Sequence, residues 1–118
     1  MPHRPASEYP FYDLGTPIAV AHAGGNLAGV EKQNTMEAFD AAAKEGFAYL
    51  ETDVAATIDD QPVLYHGQLK FGGLEKHLPP IQNIRAVSRH TFEEVERKLG
   101  VNVTLLEDLL TTFPDHRI

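Results

Sequence analysis

The sequence predicts an α/β protein in which strands and helices alternate. Three observations carry this prediction: a short apolar run followed by glycines, an amphipathic helix pattern with an N-terminal capping signal, and an alternating segment after that helix. Strand, helix and strand follow one another within residues 17–54, which is the order of a βαβ unit with parallel strands.

The first strand and the helix have clear boundaries in the sequence. The run from Pro17 to His22 is apolar almost throughout, which is typical of a strand buried on both faces. Asn34 can cap the helix while Glu37 reaches back to it, and Gly46 supplies the stop. Apolar residues recur along the helix at steps of three and four, at Met36, Phe39, Ala43 and Phe47.

The second predicted strand, Ala48 to Val54, carries two acids on one face. Glu51 and Asp53 alternate there with Leu50 and Thr52, so that neighbouring residues point to opposite sides. Their Cα atoms would be ~6.5–7 Å apart on such a strand. Two carboxylates this close repel each other unless a cation or protons lie between them.

A hairpin is expected after this strand, because too few residues separate Val54 from Val63 for a crossover helix. A two-residue turn at Asp59 and Asp60 places His66 opposite Asp53. A three-residue turn would shift the pairing by one and turn His66 to the other face. Only the first register brings His66 beside the two acids.

The remainder of the chain has weaker signals. Residues 68–88 read as irregular. Capping pairs at Thr91 with Glu94 and at Thr104 with Glu107 predict two more helices, which end at Gly100 and near Phe113-Pro114. The proline-rich start predicts a loosely held arm over residues 1–16 before a single domain over residues 17–118.

Composition excludes several classes of protein. The net charge of −7 over 118 residues argues against a nucleic-acid binder. The absence of cysteine excludes disulfides, thiolate zinc sites and a cysteine nucleophile. No apolar stretch is long enough to cross a membrane and no signal peptide is visible, so the sequence predicts a cytoplasmic protein without an integral membrane segment.

Four polar residues form the candidate site: His22, Glu51, Asp53 and His66. A hard divalent ion, Mg²⁺ or Ca²⁺, would relieve the repulsion between the carboxylates, and a glycosidase acid pair is the alternative. Two histidines favour metal-assisted phosphoryl transfer, in which one imidazole is a base and the other an acid. Each residue taken alone also has a structural reading, as the solvated face of a strand or as a histidine at a strand end.

The order of these motifs resembles the N-terminal part of the glycerophosphodiester phosphodiesterase family, within the phospholipase-C-like phosphodiesterase superfamily. The matching segments are His22-Ala-Gly24, Gln33-Asn-Thr35 with Met36-Glu-Ala-Phe39, Tyr49-Leu-Glu-Thr-Asp-Val54 and Pro62-Val-Leu-Tyr-His66. A weaker match follows at residues 103–109. The pattern of the family has His-Arg-Gly at the first of these positions and His-Asp at the last.

The resemblance implies a TIM-type (β/α)8 barrel that hydrolyses small glycerophosphodiesters of lipid metabolism. It implies that His22 and His66 are the acid/base pair and that Glu51 and Asp53 are two ligands of Mg²⁺ or Ca²⁺. Because Ala23 stands where the family has arginine, Lys70 or Lys32 is the candidate phosphate contact.

Length predicts that only the N-terminal part of such a barrel is encoded here. A complete barrel has ~250 residues, and this chain has 118. The missing part would leave apolar surface and a strand edge uncovered, so self-association is expected. Three departures from the family pattern leave a second hypothesis open: Ala23 stands in place of arginine, Gly67 stands in place of aspartate, and the third metal-binding carboxylate of the family is expected after Ile118. In this second hypothesis the chain is a non-catalytic relative that binds a phosphoryl ligand or associates with itself.

Overall fold

Two short parallel strands joined by a helix form the part of the fold that carries the first site residues. The structure is a computed structural model and describes residues 4–65, 87–99 and 103–118. Strand β1 (Val20–Ala21) pairs in parallel with β2 (Tyr49–Leu50), and helix α1 (Met36–Glu45) connects them. The predicted βαβ order is therefore confirmed.

The predicted second strand is not continuous, and this expectation was wrong. After Leu50 the chain leaves the parallel pair, and Val54–Ala56 forms a new strand, β3, which pairs antiparallel with β4 (Pro62–Leu64). Residues 51–53 belong to no strand. The change of partner between β2 and β3 is what breaks the regular alternation.

The hairpin is confirmed, but its register is the second of the two considered. Val54 pairs with Leu64, and the Tyr65 amide donates to the Asp53 carbonyl oxygen (2.9 Å), so the residue opposite Asp53 is Tyr65. Three residues form the loop, because Thr57 N–H donates to the Gln61 carbonyl oxygen (3.1 Å). Asp60 adopts φ +58° there, as three-residue hairpin loops require.

Two helices follow among the described residues, α2 (Phe92–Leu99) and α3 (Leu106–Thr112). The capping box of α2 is confirmed: the Glu94 amide donates to Thr91 Oγ1 (3.2 Å), and the Thr91 amide donates to Glu94 Oε2 (3.0 Å). Thr104 does not cap α3. Its carbonyl oxygen accepts from the Leu64 amide (2.8 Å), and the helix begins one residue later, after Leu105.

Helix α1 packs its predicted apolar stripe into the main core. Gly46 ends α1 in the left-handed conformation, as predicted. The cap at its start is Thr35, and Asn34 lies outside the helix with φ +60°. The buried members of this core are Ala21, Phe39, Ala42, Leu50, Leu64, Leu109 and Phe113. A second core forms between the hairpin and α2 from Ala55, Val63, Val87 and Val95.

The arm before β1 is tied to the domain instead of lying loose. Tyr49 Oη donates to the Phe11 carbonyl oxygen (2.7 Å), and Arg117 Nη2 lies 2.8 Å from Asp13 Oδ1. The backbone of Arg117 also pairs with β2, in a parallel bridge to Tyr49. Residues next to β2 therefore come from both β1 and the end of the chain.

Strand β1 is buried on one side only, which differs from the expectation of two buried faces. Ala21 is 3% exposed, whereas Val20 is 49% exposed. Self-association of the chain stays a prediction. No helix in the part of the chain that the structure describes is long and apolar enough to cross a membrane. Gly100 and nearly all of the segment 68–88 lie outside the described residues.

Candidate functional site

The loop that follows β1 carries His22 and is sharply folded. Residues 22–24 form a 3-10 turn in which Ala23 adopts φ 53° and Gly24 adopts φ +81°. The Gly25 amide donates to the His22 carbonyl oxygen (2.7 Å) and closes the turn. The His22 side chain is 74% exposed, so its imidazole is open to solvent and to a ligand.

Gly24 brings this loop into close contact with α1. A Cβ atom at Gly24 would lie 2.9 Å from the Cβ of Ala38 and 3.1 Å from Cδ1 of Phe39, closer than side chains normally approach. Both of those residues are fully buried. Glycine is thus required at position 24 both for its backbone conformation and for its lack of a side chain.

Glu51 follows β2 and is held against the His22 loop. Its Oε2 atom accepts a hydrogen bond from the Ala23 amide (2.9 Å) and lies 3.8 Å from His22 Nε2. That second distance is too long for a hydrogen bond but suits an ion pair when the imidazole is protonated. The two residues come together because β1 and β2 are parallel and adjacent, so their carboxyl ends meet.

Asp53 lies two residues further on, where the chain turns from β2 into the hairpin. Its side chain is half-buried, and its Oδ2 atom is buried. Carboxylate oxygens such as those of Glu51 and Asp53 are suitable ligands for Mg²⁺ or Ca²⁺. Within residues 4–65, 87–99 and 103–118, no three histidine, aspartate or glutamate side chains cluster in a way that could hold a metal ion. The described residues alone therefore do not form a complete metal site.

Asn34 connects the two segments of the site, and the sequence prediction gave it another role. Its backbone N–H donates to the Ala23 carbonyl oxygen (2.8 Å). Its Oδ1 atom accepts from Thr52 Oγ1 (2.8 Å) and, over 3.5 Å, from the Asp53 amide. The signal that points to it is an asparagine directly before a threonine that can itself cap a helix, since asparagine tolerates positive φ.

Two predicted site residues, His66 and Lys70, lie outside the described residues. Lys32, the other candidate phosphate contact, is bound to Glu37 (2.9 Å) in an exposed ion pair. The hydrogen bond that Lys32 Nζ donates to the Glu37 carboxylate raises the pKa of Lys32. Close to the acids, burial raises the pKa of Tyr65 to about 12, so its phenol stays neutral at physiological pH.

The fold and these contacts define an α/β protein with a carboxylate–histidine site at the ends of parallel strands. Residues 21–116 match the glycerophosphoryl diester phosphodiesterase family, and the chain belongs to that family. Membership implies a TIM-barrel-like fold, of which the described residues show short sheets and three α-helices.

One curated relative comes from Mycobacterium tuberculosis and is named "Probable glycerophosphodiester phosphodiesterase 2". It is 37% identical over 111 residues, which are 92% of this chain and 39% of that protein. The chain thus spans about two fifths of the length of the relative that it matches. No solved structure is significantly similar to the chain.

Proposed function

We propose that this chain contributes His22, Glu51 and Asp53 to the active site of an enzyme that hydrolyses glycerophosphodiesters. The reaction converts a glycerophosphodiester and water into an alcohol and glycerol 3-phosphate. The observation that supports it is the contact of Glu51 with both His22 (3.8 Å) and the Ala23 amide (2.9 Å) at the carboxyl ends of two parallel strands. Family membership agrees with this chemistry.

In the proposed mechanism His22 moves a proton. The oxygen of water bonds to phosphorus, and the bond from phosphorus to the alcohol oxygen breaks. One imidazole accepts the proton of the water and another gives a proton to the departing oxygen, and we assign these roles to His22 and His66 without fixing which is which. Glu51 holds the His22 loop through the Ala23 amide, and its Oε2 atom lies 3.8 Å from His22 Nε2.

We further propose that Glu51 and Asp53 are two ligands of a divalent cation, Mg²⁺ or Ca²⁺. When bound there, such an ion supplies positive charge to the phosphoryl oxygens. Two observations support this assignment: the carboxylates lie on one short segment, and Glu51 Oε2 already accepts from Ala23, which fixes the orientation of its carboxylate. The remaining ligands would come from outside the described residues.

Glu51→Gln in the intact protein tests the metal assignment. The glutamine oxygen can still accept from the Ala23 amide, so the loop is retained while one negative charge is lost. We expect Mg²⁺ or Ca²⁺ affinity, measured by calorimetry, to fall about tenfold or more. Glu45→Gln, at the exposed end of α1, is the matched control. Unchanged affinity in Glu51→Gln would contradict a ligand role.

His22→Asn tests the catalytic assignment in the same protein. With glycerophosphocholine as the probe, release of glycerol 3-phosphate should fall by roughly 10²–10⁴-fold, because a general acid or base is removed. Metal affinity should change little. Activity within twofold of the unaltered protein would exclude His22 from proton transfer.

A non-catalytic phosphoryl-binding relative is the second candidate, and Ala23 favours it. Where the family pattern has arginine, this chain has an alanine that is 1% exposed and whose amide donates to Glu51 Oε2. Binding of glycerol 3-phosphate by an intact protein that does not hydrolyse glycerophosphodiesters would support this candidate over the first.

A further inference from the structure

Asn34 lies between the two segments that carry the candidate site and contacts both of them. We propose that Asn34 is a positioning residue, which holds the segment of Glu51 and Asp53 against the loop of His22. The role in catalysis rests on the proposed function, whereas the role in geometry does not. Asn34 is not expected to touch substrate, and it would act through the residues that it orients.

Hydrogen bonds link Asn34, Ala23 and the segment of residues 51–53 in a ring. The Asn34 amide donates to the Ala23 carbonyl oxygen (2.8 Å), and the Ala23 amide donates to Glu51 Oε2 (2.9 Å). Thr52 Oγ1 then donates to Asn34 Oδ1 (2.8 Å), and the Asp53 amide approaches the same oxygen at 3.5 Å. The Ala23 N–H is therefore bonded to Glu51, and the Ala23 carbonyl oxygen is bonded to Asn34.

Both the backbone and the side chain of Asn34 matter. Its φ of +60° is a conformation that glycine, asparagine and aspartate adopt readily and other residues rarely do. Glycine would lack the acceptor for Thr52. Aspartate would keep the acceptor but add a third negative charge beside Glu51 and Asp53. Asparagine is the residue that gives the conformation and the acceptor without the charge.

Residues 51–53 belong to neither sheet, and Asn34 supports the middle of this segment at Thr52. The residues at its two ends are also held through the backbone, because the Glu51 amide donates to the Ala21 carbonyl oxygen (3.0 Å) and the Asp53 carbonyl oxygen accepts from the Tyr65 amide (2.9 Å). The segment lies between β2 and β3, where the pairing changes from parallel to antiparallel. Without a side-chain acceptor at residue 34, the Thr52 hydroxyl would be left with its longer contact to the Asp53 carbonyl oxygen (3.4 Å), and the two carboxylates would sample more orientations. Small displacements of catalytic groups are known to reduce rates by ~10²-fold.

The test compares Asn34→Gly with Asn34→Asp in the intact protein. Asn34→Gly keeps the backbone conformation and removes the acceptor, whereas Asn34→Asp keeps the acceptor. We expect Asn34→Gly to increase amide hydrogen exchange at Asp53 by about fivefold or more beyond the change in global stability, and Asn34→Asp to restore it. Asn26→Gly is the control, because the Asn26 side chain also accepts a hydrogen bond within this loop, from Gln33 Nε2.

Thr52→Val is the second variant, and it remains informative if Asn34→Gly does not fold. It removes the donor and should weaken protection at Asp53 in the same direction, and combining it with Asn34→Gly should add little. In an active protein, Asn34→Gly should lower kcat by about 10–100-fold with KM within threefold.

The outcomes separate this inference from the proposed function. An intact protein without hydrolytic activity would refute the proposed function, and hydrogen exchange would still decide the role of Asn34. Protection at Asp53 that is unchanged in both Asn34→Gly and Thr52→Val would overturn the inference. Loss of protection in Asn34→Gly without recovery in Asn34→Asp would overturn the role of the acceptor.

Discussion

Replacing Gly24 by alanine inserts a methyl group between the His22 loop and helix α1. The new Cβ would lie 2.9 Å from the Cβ of Ala38 and 3.1 Å from a ring carbon of Phe39. Neither neighbour can withdraw easily, because both are fully buried. Residue 24 also has φ +81°, which alanine disfavours.

Two costs add in this variant. A left-handed conformation costs about 1–2 kcal/mol for a residue with a Cβ, and overpacking of a filled core costs about 1–3 kcal/mol. We therefore expect Gly24→Ala to lower the free energy of unfolding by about 2–5 kcal/mol. With a urea m-value of about 2 kcal/mol/M, the unfolding midpoint should fall by roughly 1–2.5 M.

Gly46→Ala separates the two costs. Gly46 also has a positive φ, +102°, in the left-handed region, but a Cβ there would have no atom within 4 Å. Urea unfolding followed by circular dichroism should show a loss of only ~1–2 kcal/mol for Gly46→Ala. A Gly24→Ala protein that is no less stable than Gly46→Ala would refute the argument from close packing against α1.

Three further predictions concern the hairpin loop, a buried phenol and the arm. The Thr57 hydroxyl donates to the Asp59 carboxylate and lowers its pKa, and the Phe92 amide at the start of α2 also contributes. The resulting contribution to stability is present above the usual aspartate pKa and is lost as pH falls through the lowered value. Asp59→Asn should therefore lose stability at neutral pH and flatten the acid side of a thermal-stability profile. The Tyr65 phenol should ionise near pH 12 in an absorbance titration. Because the pKa of an unfolded tyrosine is ~10, the contribution of Tyr65 to stability is complete below pH ~10 and is lost as pH rises toward 12. Ionisation at pH ~10 would contradict its burial. Tyr49→Phe removes the hydrogen bond to the Phe11 carbonyl oxygen (2.7 Å) and should speed limited proteolysis of the arm, whereas unchanged cleavage would show that this hydrogen bond does not hold the arm in place.

Local signals in the sequence predicted the elements that depend on local contacts. The Thr91–Glu94 capping box has both of its hydrogen bonds within one turn, so the pattern was sufficient. The stop at Gly46 is likewise a property of one residue and its conformation. His22 and Glu51, two of the four residues of the candidate site, lie 3.8 Å apart at the ends of neighbouring parallel strands.

The errors arose where distant contacts decide between local alternatives. Asn34 and Thr35 can each cap a helix, and the bond from Thr52, 18 residues away in sequence, draws Asn34 out of that role. The two aspartates of the hairpin loop suit a two-residue turn or a three-residue turn. The loop is fixed by Asp59, which accepts from the start of α2, 33 residues further along.

Ala23 contributes to the site through its peptide groups, and this determines which substitutions the position can accept. Its N–H and its carbonyl oxygen are both engaged, its φ is 53°, and its side chain is 1% exposed. A redesign that installs arginine here, to match the family pattern, would have to open space for a long side chain first. Acceptable residues at position 23 are accordingly ranked by volume and backbone freedom, not by charge.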